Sequence, residues 1–285
     1  MPFRYLISDI IVSYNCLQSL KACVKSLENQ KGVESEIIVI DNDSNDGTAA
    51  FLKENKFKTI LSDKNLGYGA AVNRAAKKAG GKYLFILNPD TELPPTSLEA
   101  LYRYAEDNPD VGLVSPVLRH PDGRLQLSAR KFPRRRDFLL GRGSPLFLLG
   151  LTGEKKAGYI APDGDEAMDV PAVSATALFL RSELFQKIGG CDERFFLYLE
   201  DLDLCRSVRN MGFKVALLPS VTVFHSWRKS SRTRPYFSSF HHHLSVFKYF
   251  RKHYPHQWLY NLMLLPALAA GLVISFVLIT VRGGK

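Results

Sequence analysis

Leu6-Ile7-Ser8-Asp9-Ile10-Ile11-Val12-Ser13 decides the fold together with the residues after it: Leu17, Leu20, Val24 and Leu27 at helical spacing, then the β-branched run from Glu36 to Asp41. A mostly apolar strand, an amphipathic helix and a second apolar strand form one βαβ unit. The alternation continues outward. Helices are expected over Thr48 to Lys56, Tyr68 to Ala79 and Thr96 to Asp107, and strands over Lys58 to Leu61, Tyr83 to Leu87 and Val111 to Leu118. This rhythm predicts a doubly wound, mostly parallel α/β sheet with flanking helices, whose ligands gather at the carboxyl ends of the strands.

Periodicity fades between Arg119 and Asp169, where a long irregular excursion is expected. Order returns with a strand over Val173 to Leu180, helices over Ser182 to Ile188 and Asp201 to Met211, and a strand over Phe213 to Leu217. Of the 285 residues, 46% are hydrophobic and 23% charged, a composition that excludes a disordered chain. The net charge of +10 calls for an anionic partner. Nucleic acid fits the charge, but no base-reading motif accompanies it, and a membrane surface explains the surplus as well. Cys16, Cys23, Cys191 and Cys205 show no C-x-x-C pair and predict free thiols in a reducing compartment. Residues 6–12 are interrupted by Ser8 and Asp9 and do not read as a secretory signal.

From Trp258 to Val281 no side chain is charged, and at about 1.5 Å per residue such a run spans or nearly spans a hydrocarbon layer. Trp258 and Tyr260 suit an interface, and Arg251, Lys252 and His253 supply a cytoplasmic positive flank. Pro266 allows a kink or a re-entrant path, so spanning and shallow insertion are both open, and a buried core helix is the plainer alternative. Pro235 to Tyr254, aromatic and basic, predicts an amphipathic connector. The chain therefore divides into residues 1–230 (halves 1–118 and 119–230), the connector 231–257 and a membrane segment 258–281.

The chemistry concentrates at predicted strand ends. Val12-Ser13-Tyr14-Asn15 and Asp41-Asn42 place hydroxyls, amides and a carboxylate at the ligand edge, where Asp41 can accept a hydrogen bond from a pyrimidine N3–H. Asp43 to Asp46 reads equally as a turn and helix cap, and capping is favoured for Asp46. In Asn65-Leu66-Gly67-Tyr68-Gly69 the glycines allow close backbone approach, and the helix start, which carries Asn73 further on, offers N–H donors to phosphate. Asn88-Pro89-Asp90 ends a buried strand and sets a carboxylate where a divalent cation would meet a diphosphate, although such a tripeptide is commonly a turn. Glu200-Asp201-Leu202-Asp203 puts acids among large hydrophobics at a helix start, a setting for a general base or for dipole-favouring acids. Arg130 to Arg136 reads as an anion site or as a solvated loop. Adjacent His241, His242 and His243 point apart on a helix and make a poor metal tract.

In this order, Val12 to Asn15, Asp41-Asn42, Asn65 to Gly69, Asn88-Pro89-Asp90, and Glu200-Asp201 followed by His225 resemble the family 2 inverting glycosyltransferases of GT-A fold. Pro121-Asp122-Gly123 with Arg130 and Phe132-Pro133, and Gly189-Gly190-Cys191-Asp192-Glu193-Arg194-Phe195-Phe196, are similar to the bacterial rhamnosyltransferase branch, which elongates lipid-linked O-antigen or cell-wall glycans. The resemblance covers about residues 5 to 230.

It implies a Rossmann-like GT-A sheet that binds a nucleotide-diphosphate sugar (dTDP- or UDP-linked, best matched by dTDP-L-rhamnose) through Val12, Ser13, Tyr14, Asn15, Asp41, Asn42, Asn65, Gly67, Tyr68, Asn73 and Asn88. It further implies Mg²⁺ or Mn²⁺ at Asp90 and His225, Asp201 as catalytic base, and Glu200, Arg130 and Arg134 on the acceptor side. The acceptor would be a polyprenyl-diphosphate-linked glycan at the cytoplasmic membrane face. Asn88 departs from the acid more usual there, and Ser174-Ala175-Thr176 replaces Ser-Gly-Ala. A nucleotidyltransferase would need a glycine-rich basic loop after the first strand, and Val12 to Cys16 is not one. A membrane-tethered sugar-nucleotide-binding protein without chemistry is the other alternative, and the acids at 41, 90 and 201 argue against it.

Overall fold

The computed structural model describes residues 5–140, 158–226 and 234–283. In chain order the first half contains β1 (Tyr5–Ser13), α1 (Leu17–Glu28), β2 (Ser35–Asp41), α2 (Thr48–Lys53), β3 (Lys58–Leu61), α3 (Tyr68–Ala76), β4 (Gly81–Leu87), β5 (Thr91–Glu92), α4 (Ser97–Asp107) and β6 (Val111–Arg119). The second half contains β7 (Leu125–Gln126), α5 (Arg135–Leu140), β8 (Met168–Asp169), β9 (Ala177–Arg181), α6 (Ser182–Ile188), α7 (Glu200–Asn210), β10 (Lys214–His225), α8 (Pro235–His253) and α9 (Trp258–Gly283).

The strands form one sheet in the order β3-β2-β1-β4-β9-β6-β10-β5, with β7 beside β6 and β8 beside β10. β1 is flanked by parallel β2 and β4 and carries apolar side chains to both faces. Ile10 and Val12 join the core under α3 and α7, while Ile7 and Ile11 join the one under α1 and α4. Burial on both faces is what turns a parallel strand into a near-continuous apolar run.

The excursion expected to be irregular contains β7, α5 and β8, and two further departures from expectation shape the site. β9 runs antiparallel between β4 and β6. The chain returns from the excursion at the carboxyl edge of the sheet, so the next strand has to run down it. Its start is thereby delivered beside the end of β4, where the Asn88 N–H donates to Thr176 O at 3.0 Å. β10 continues well past the expected Leu217, to His225. Pro219 lacks the N–H a ladder needs, but the register shifts between Leu218 and Thr222 and absorbs it. Residues 141–157 of the excursion and the boundary expected at residue 230 lie outside the described residues.

All four cysteines are free and buried. α8 packs Val246, Tyr249 and Phe250 into the core of the α/β body, and α9 doubles back beside α8. Among the described residues, Pro255–Val281 is a helix long and apolar enough to cross a membrane.

Candidate active site

The donor edge is built by interlocking turns at the ends of β1 and β2. Ser13 and Val12 are buried in β1, and Val12 turns its side chain into the core. Asn15 adopts the left-handed conformation at φ 50°. Its N–H donates to Ser44 Oγ at 2.9 Å, and its Oδ1 accepts from the Asn45 N–H at 2.7 Å. Asp46 accepts from the Leu17 N–H at 2.8 Å and so caps α1 from a neighbouring loop, and its Oδ1 takes the Thr48 N–H at 3.2 Å at the start of α2, the next helix, where the cap was expected. Asp41 is buried and takes the Ser44 N–H at 3.2 Å. Burial raises its pKa above the usual carboxylate range.

Asn42 ties this edge to the next loop. Its side-chain amide donates to Asn65 Oδ1 at 3.1 Å and Gly67 O at 3.3 Å, and its Oδ1 accepts from the Leu66 N–H at 2.8 Å. Gly67 has φ 83°, and a Cβ there would lie 2.5 Å from Phe196 O. The close approach read from the glycines is thus made by the chain's own backbone. The Tyr68 N–H, expected to be free for phosphate, donates to Phe196 O at 2.9 Å. Asn73 is likewise spent within the protein, with its amide on Cys191 O and Glu193 and its Oδ1 accepting from the Cys191 N–H.

Tyr68 ties this loop to the start of α7 through Ala175. Its hydroxyl donates to Ala175 O at 3.1 Å, and the Ala175 N–H donates to Asp201 Oδ2 at 3.2 Å. Burial first, then the fields of Glu200, Cys191, Asp201 and Asp90, hold the phenol well above its ordinary pKa. The loop after β3, the segment before β9 and the start of α7 therefore meet.

Asp90 lies against His225 at the end of β10, Oδ1 to Nε2 3.1 Å, with side chains 9% and 5% exposed. The backbone pairing of His225 with Thr91 and the Ser226 N–H on Asp90 O hold them there. The imidazole Nδ1 is 3.0 Å from Gln126 Oε1, an acceptor. The ring is thus held between Gln126 and Asp90, with Nε2 and the Asp90 carboxylate side by side at the strand edge. The oxygen and imidazole donors fit Mg²⁺ or Mn²⁺. Among the described residues no set of three His, Cys, Asp or Glu surrounds one point, so substrate oxygens and water would complete a shell. Gln126 escaped the sequence reading because a lone glutamine after a turn carries no signal; only the pairing of β7 with β6 brings it there.

Tyr198 and Leu199 both have positive φ, 67° and 64°, immediately before α7. Two successive strained non-glycine residues lift Glu200 and Asp201 to the edge, the kind of local cost that collects at functional sites. Asp201 Oδ2 holds the Arg130 guanidinium at 2.6 Å and Oδ1 takes the Leu202 N–H at 2.8 Å. Glu200 is buried, and its Oε2 has no partner. Burial, then the neighbouring Asp201, push its pKa up to about 8.

The basic stretch does not act as one patch. Arg130 turns inward to Asp201. Arg134 is exposed, and its N–H donates to Asp137 at the start of α5. Arg135 is pinned to Gln257 and Asn261. The three histidines diverge as expected: His241 stacks on Phe196, His242 meets Phe138 and Tyr198, and the His243 ring donates to Ser239 O.

An open α/β sheet with acids, amides and a histidine on its strand-end loops is the architecture of the GT-A fold. The chain belongs to glycosyl transferase family 2, whose family model matches residues 8–163, and it is a glycosyltransferase. It is 29% identical over 266 residues to the N-acetylglucosaminyl-diphospho-decaprenol L-rhamnosyltransferase of Mycobacterium tuberculosis, covering 87% of this chain and 85% of that one. It is 26% identical over 250 residues to the rhamnosyltransferase WbbL of Escherichia coli K12, covering 84% and 90%. Among solved structures, the mannosyltransferase PcManGT of Pyrobaculum calidifontis, in complex with GDP-Man and Mn²⁺, matches with a TM-score of 0.59 at 16% identity, covering 100% of this chain and 83% of that one. GalNAc-T7 with UDP, GalNAc and Mn²⁺ matches at 0.63 and 18% identity, covering 79% and 44%. These structures attest to the fold.

Proposed function

We propose that this chain is an inverting rhamnosyltransferase that moves L-rhamnose from dTDP-rhamnose to a polyprenyl-diphosphate-linked glycan at the cytoplasmic face of the membrane. The similarity to the M. tuberculosis enzyme, which extends over nearly the whole of both chains, carries this reading. The transferase domain would comprise residues 1–230, and residues 231–257 and 258–281 would attach it to the membrane.

In this reading the edge from Ser13 to Asn15, with Asp41 and Asn42, holds the nucleotide. Asp90 and His225 would hold Mg²⁺ or Mn²⁺, which when bound offsets charge on the departing nucleotide diphosphate. Asp201 receives the proton of an acceptor hydroxyl as its oxygen forms a bond to the anomeric carbon and the bond from that carbon to the diphosphate oxygen breaks. One displacement from the opposite side inverts the anomeric centre. Arg130 and the Ala175 N–H orient the Asp201 carboxylate for this role. Glu200, largely protonated at neutral pH, keeps a second negative charge away from it.

The test is transfer by the purified full chain in detergent, with dTDP-rhamnose, UDP-sugars and GDP-mannose as donors and N-acetylglucosaminyl-diphospho-decaprenol as acceptor, with Mn²⁺ or with chelator. Metal-dependent rhamnosyl transfer with an inverted anomeric centre by NMR is expected. Preference for another donor, or retention, overturns the reading.

A further inference from the structure

Resting on the membrane attachment just proposed, we infer that α9 lies in the plane of the cytoplasmic leaflet, as one arm of a helical hairpin, and does not cross the bilayer. The partner is a phospholipid monolayer with anionic headgroups, and the occupied surface is the outward side of α9.

The pairing of α9 with α8 carries this. Asn261, near the start of α9, donates to Tyr254 O at 3.1 Å and Phe250 O at 3.4 Å, at the end of α8. At the other end, Phe276 packs edge-on against Tyr236, whose hydroxyl lies 2.9 Å from Thr280 Oγ1. Phe250 to Tyr236 and Asn261 to Phe276 each cover about 22 Å of helix at 1.5 Å per residue, so the two axes run antiparallel side by side over that length. Asn261, Leu264, Leu268 and Gly271 form the buried stripe toward α8. Leu262, Ala269, Val273 and Val277, on the opposite side, are exposed.

α8 in turn is fastened to the catalytic body. Ser245 Oγ donates to Leu197 O at 2.8 Å and Lys248 Nζ to Arg194 O at 2.6 Å. Lys252 lies 2.7 Å from Asp203 and 2.8 Å from Asp192, and His253 Nε2 lies 2.8 Å from Asp203. An α9 that crossed the bilayer in this arrangement would carry α8 to the same depth, with Lys248, Lys252 and the loop that holds them. Charged side chains do not settle in hydrocarbon without heavy cost. Lying flat, α9 buries its apolar side among the acyl chains and leaves α8 on the water side, the geometry of an interfacial helix.

The flanks agree. Trp258 and Tyr260 are 59% and 63% exposed at the start of α9, where interfacial aromatics sit. Arg135 is fixed to Asn261, which sets the exposed Arg134 and Arg136 beside this end of the helix, within reach of anionic headgroups. The start of α8 reaches the donor edge, where the Arg234 guanidinium lies 5.7 Å from the Tyr14 ring centre. A flat hairpin therefore runs along the flank of the cleft and holds its mouth at the height of the lipid phosphates, where the diphosphate of a membrane-borne acceptor lies.

The experiment uses the full chain with vesicles of phosphatidylethanolamine and phosphatidylglycerol. Single nitroxide labels are attached to Leu262→Cys, Ala269→Cys and Val277→Cys, the buried native cysteines providing the unlabelled background. Depth is read from accessibility to a lipid-soluble and a water-soluble relaxant. Co-sedimentation with equal, shallow depths at all three positions is the expected result. Co-sedimentation with position 269 deep and the other two shallow shows a crossing helix and overturns this inference alone. A chain that stays in solution overturns the membrane attachment itself, and a stable dimer in that fraction assigns the apolar side to a second copy.

Discussion

Arg130 Nη2 donates to Asp201 Oδ2 at 2.6 Å, across 71 residues of sequence. The pair joins the isolated bridge that Arg130 forms with Tyr159 and Ala172 to the first turn of α7. It places a cation on the carboxylate proposed to take the acceptor proton, with buried Glu200 alongside.

Asp201→Asn is expected to lower kcat by about 10²–10⁴-fold with donor affinity kept, since only the proton acceptor is lost. Arg130→Gln leaves two neighbouring acids without their cation. It should cost roughly 1–3 kcal/mol of stability, less than a wholly buried pair because the guanidinium is 27% exposed. Steady-state kinetics and thermal unfolding check the two. An Asp201→Asn variant with wild-type turnover removes the base assignment.

Glu200 gives the reaction an alkaline limit. Its folded-state pKa, raised to about 8, means the proton is held at neutral pH and lost as pH rises through that value. Ionisation then puts a second negative charge beside Asp201. Activity of the wild type should fall above about pH 8, and Glu200→Gln should flatten that limb. A pH profile of kcat/KM that is the same in both proteins would assign the limit elsewhere.

At the proposed metal site, Asp90→Ala and His225→Ala should abolish the Mn²⁺-dependent part of donor binding by calorimetry. Gln126→Ala leaves both ligands in place but frees the imidazole, and should weaken Mn²⁺ affinity by about 10–100-fold. Donor binding in these variants that still responds to chelator as in the wild type speaks against the assignment.

Asp9, in the middle of β1, is fully buried, and neither carboxylate oxygen has a hydrogen-bond partner. Burial raises its pKa to about 7. Between the unfolded value near 4 and about 7 the folded chain binds the extra proton, so stability falls as pH rises through that window and is level above it. One such group accounts for up to about 4 kcal/mol. Urea unfolding at pH 5 and pH 8 should show about 2–3 kcal/mol of this loss in the wild type and not in Asp9→Asn. Equal pH dependence in the two would place the titration on another group.

Gly67→Ala meets both a positive φ and the Phe196 carbonyl, and should cost about 1–3 kcal/mol together with most of the activity. Gly123→Ala shares the positive φ, with nothing within 4 Å, and serves as the control with near-normal turnover. Similar losses in the two variants would refute a special role for the loop closure at Phe196.

The βαβ half of the fold was legible because its core strands are buried on both faces, and burial writes itself into sequence as uninterrupted apolar runs such as Ile37 to Ile40. The direction of β9 was not legible. A short apolar strand reads the same up or down, and only the path of the preceding chain sets its sense. The end of β10 was hidden for a local reason, Pro219, which a register shift accommodates.

At the site, residue type and position at strand ends and at a helix start were enough to single out Asp41, Asp90, Glu200 and Asp201, because carboxylates are chemically conspicuous there, whereas His225 was singled out by the family resemblance. What each one touches came from packing alone. Nothing in the string distinguishes Arg130, turned onto Asp201, from Arg135, locked to Gln257 and Asn261, and nothing in it aims Gln126 at His225. The sequence determined which elements form and which chemical groups stand at their ends, since these follow from local periodicity and side-chain type. Tertiary structure decided which of those groups meet, because contacts across 71 or 99 residues depend on strand order and register, which no local pattern encodes.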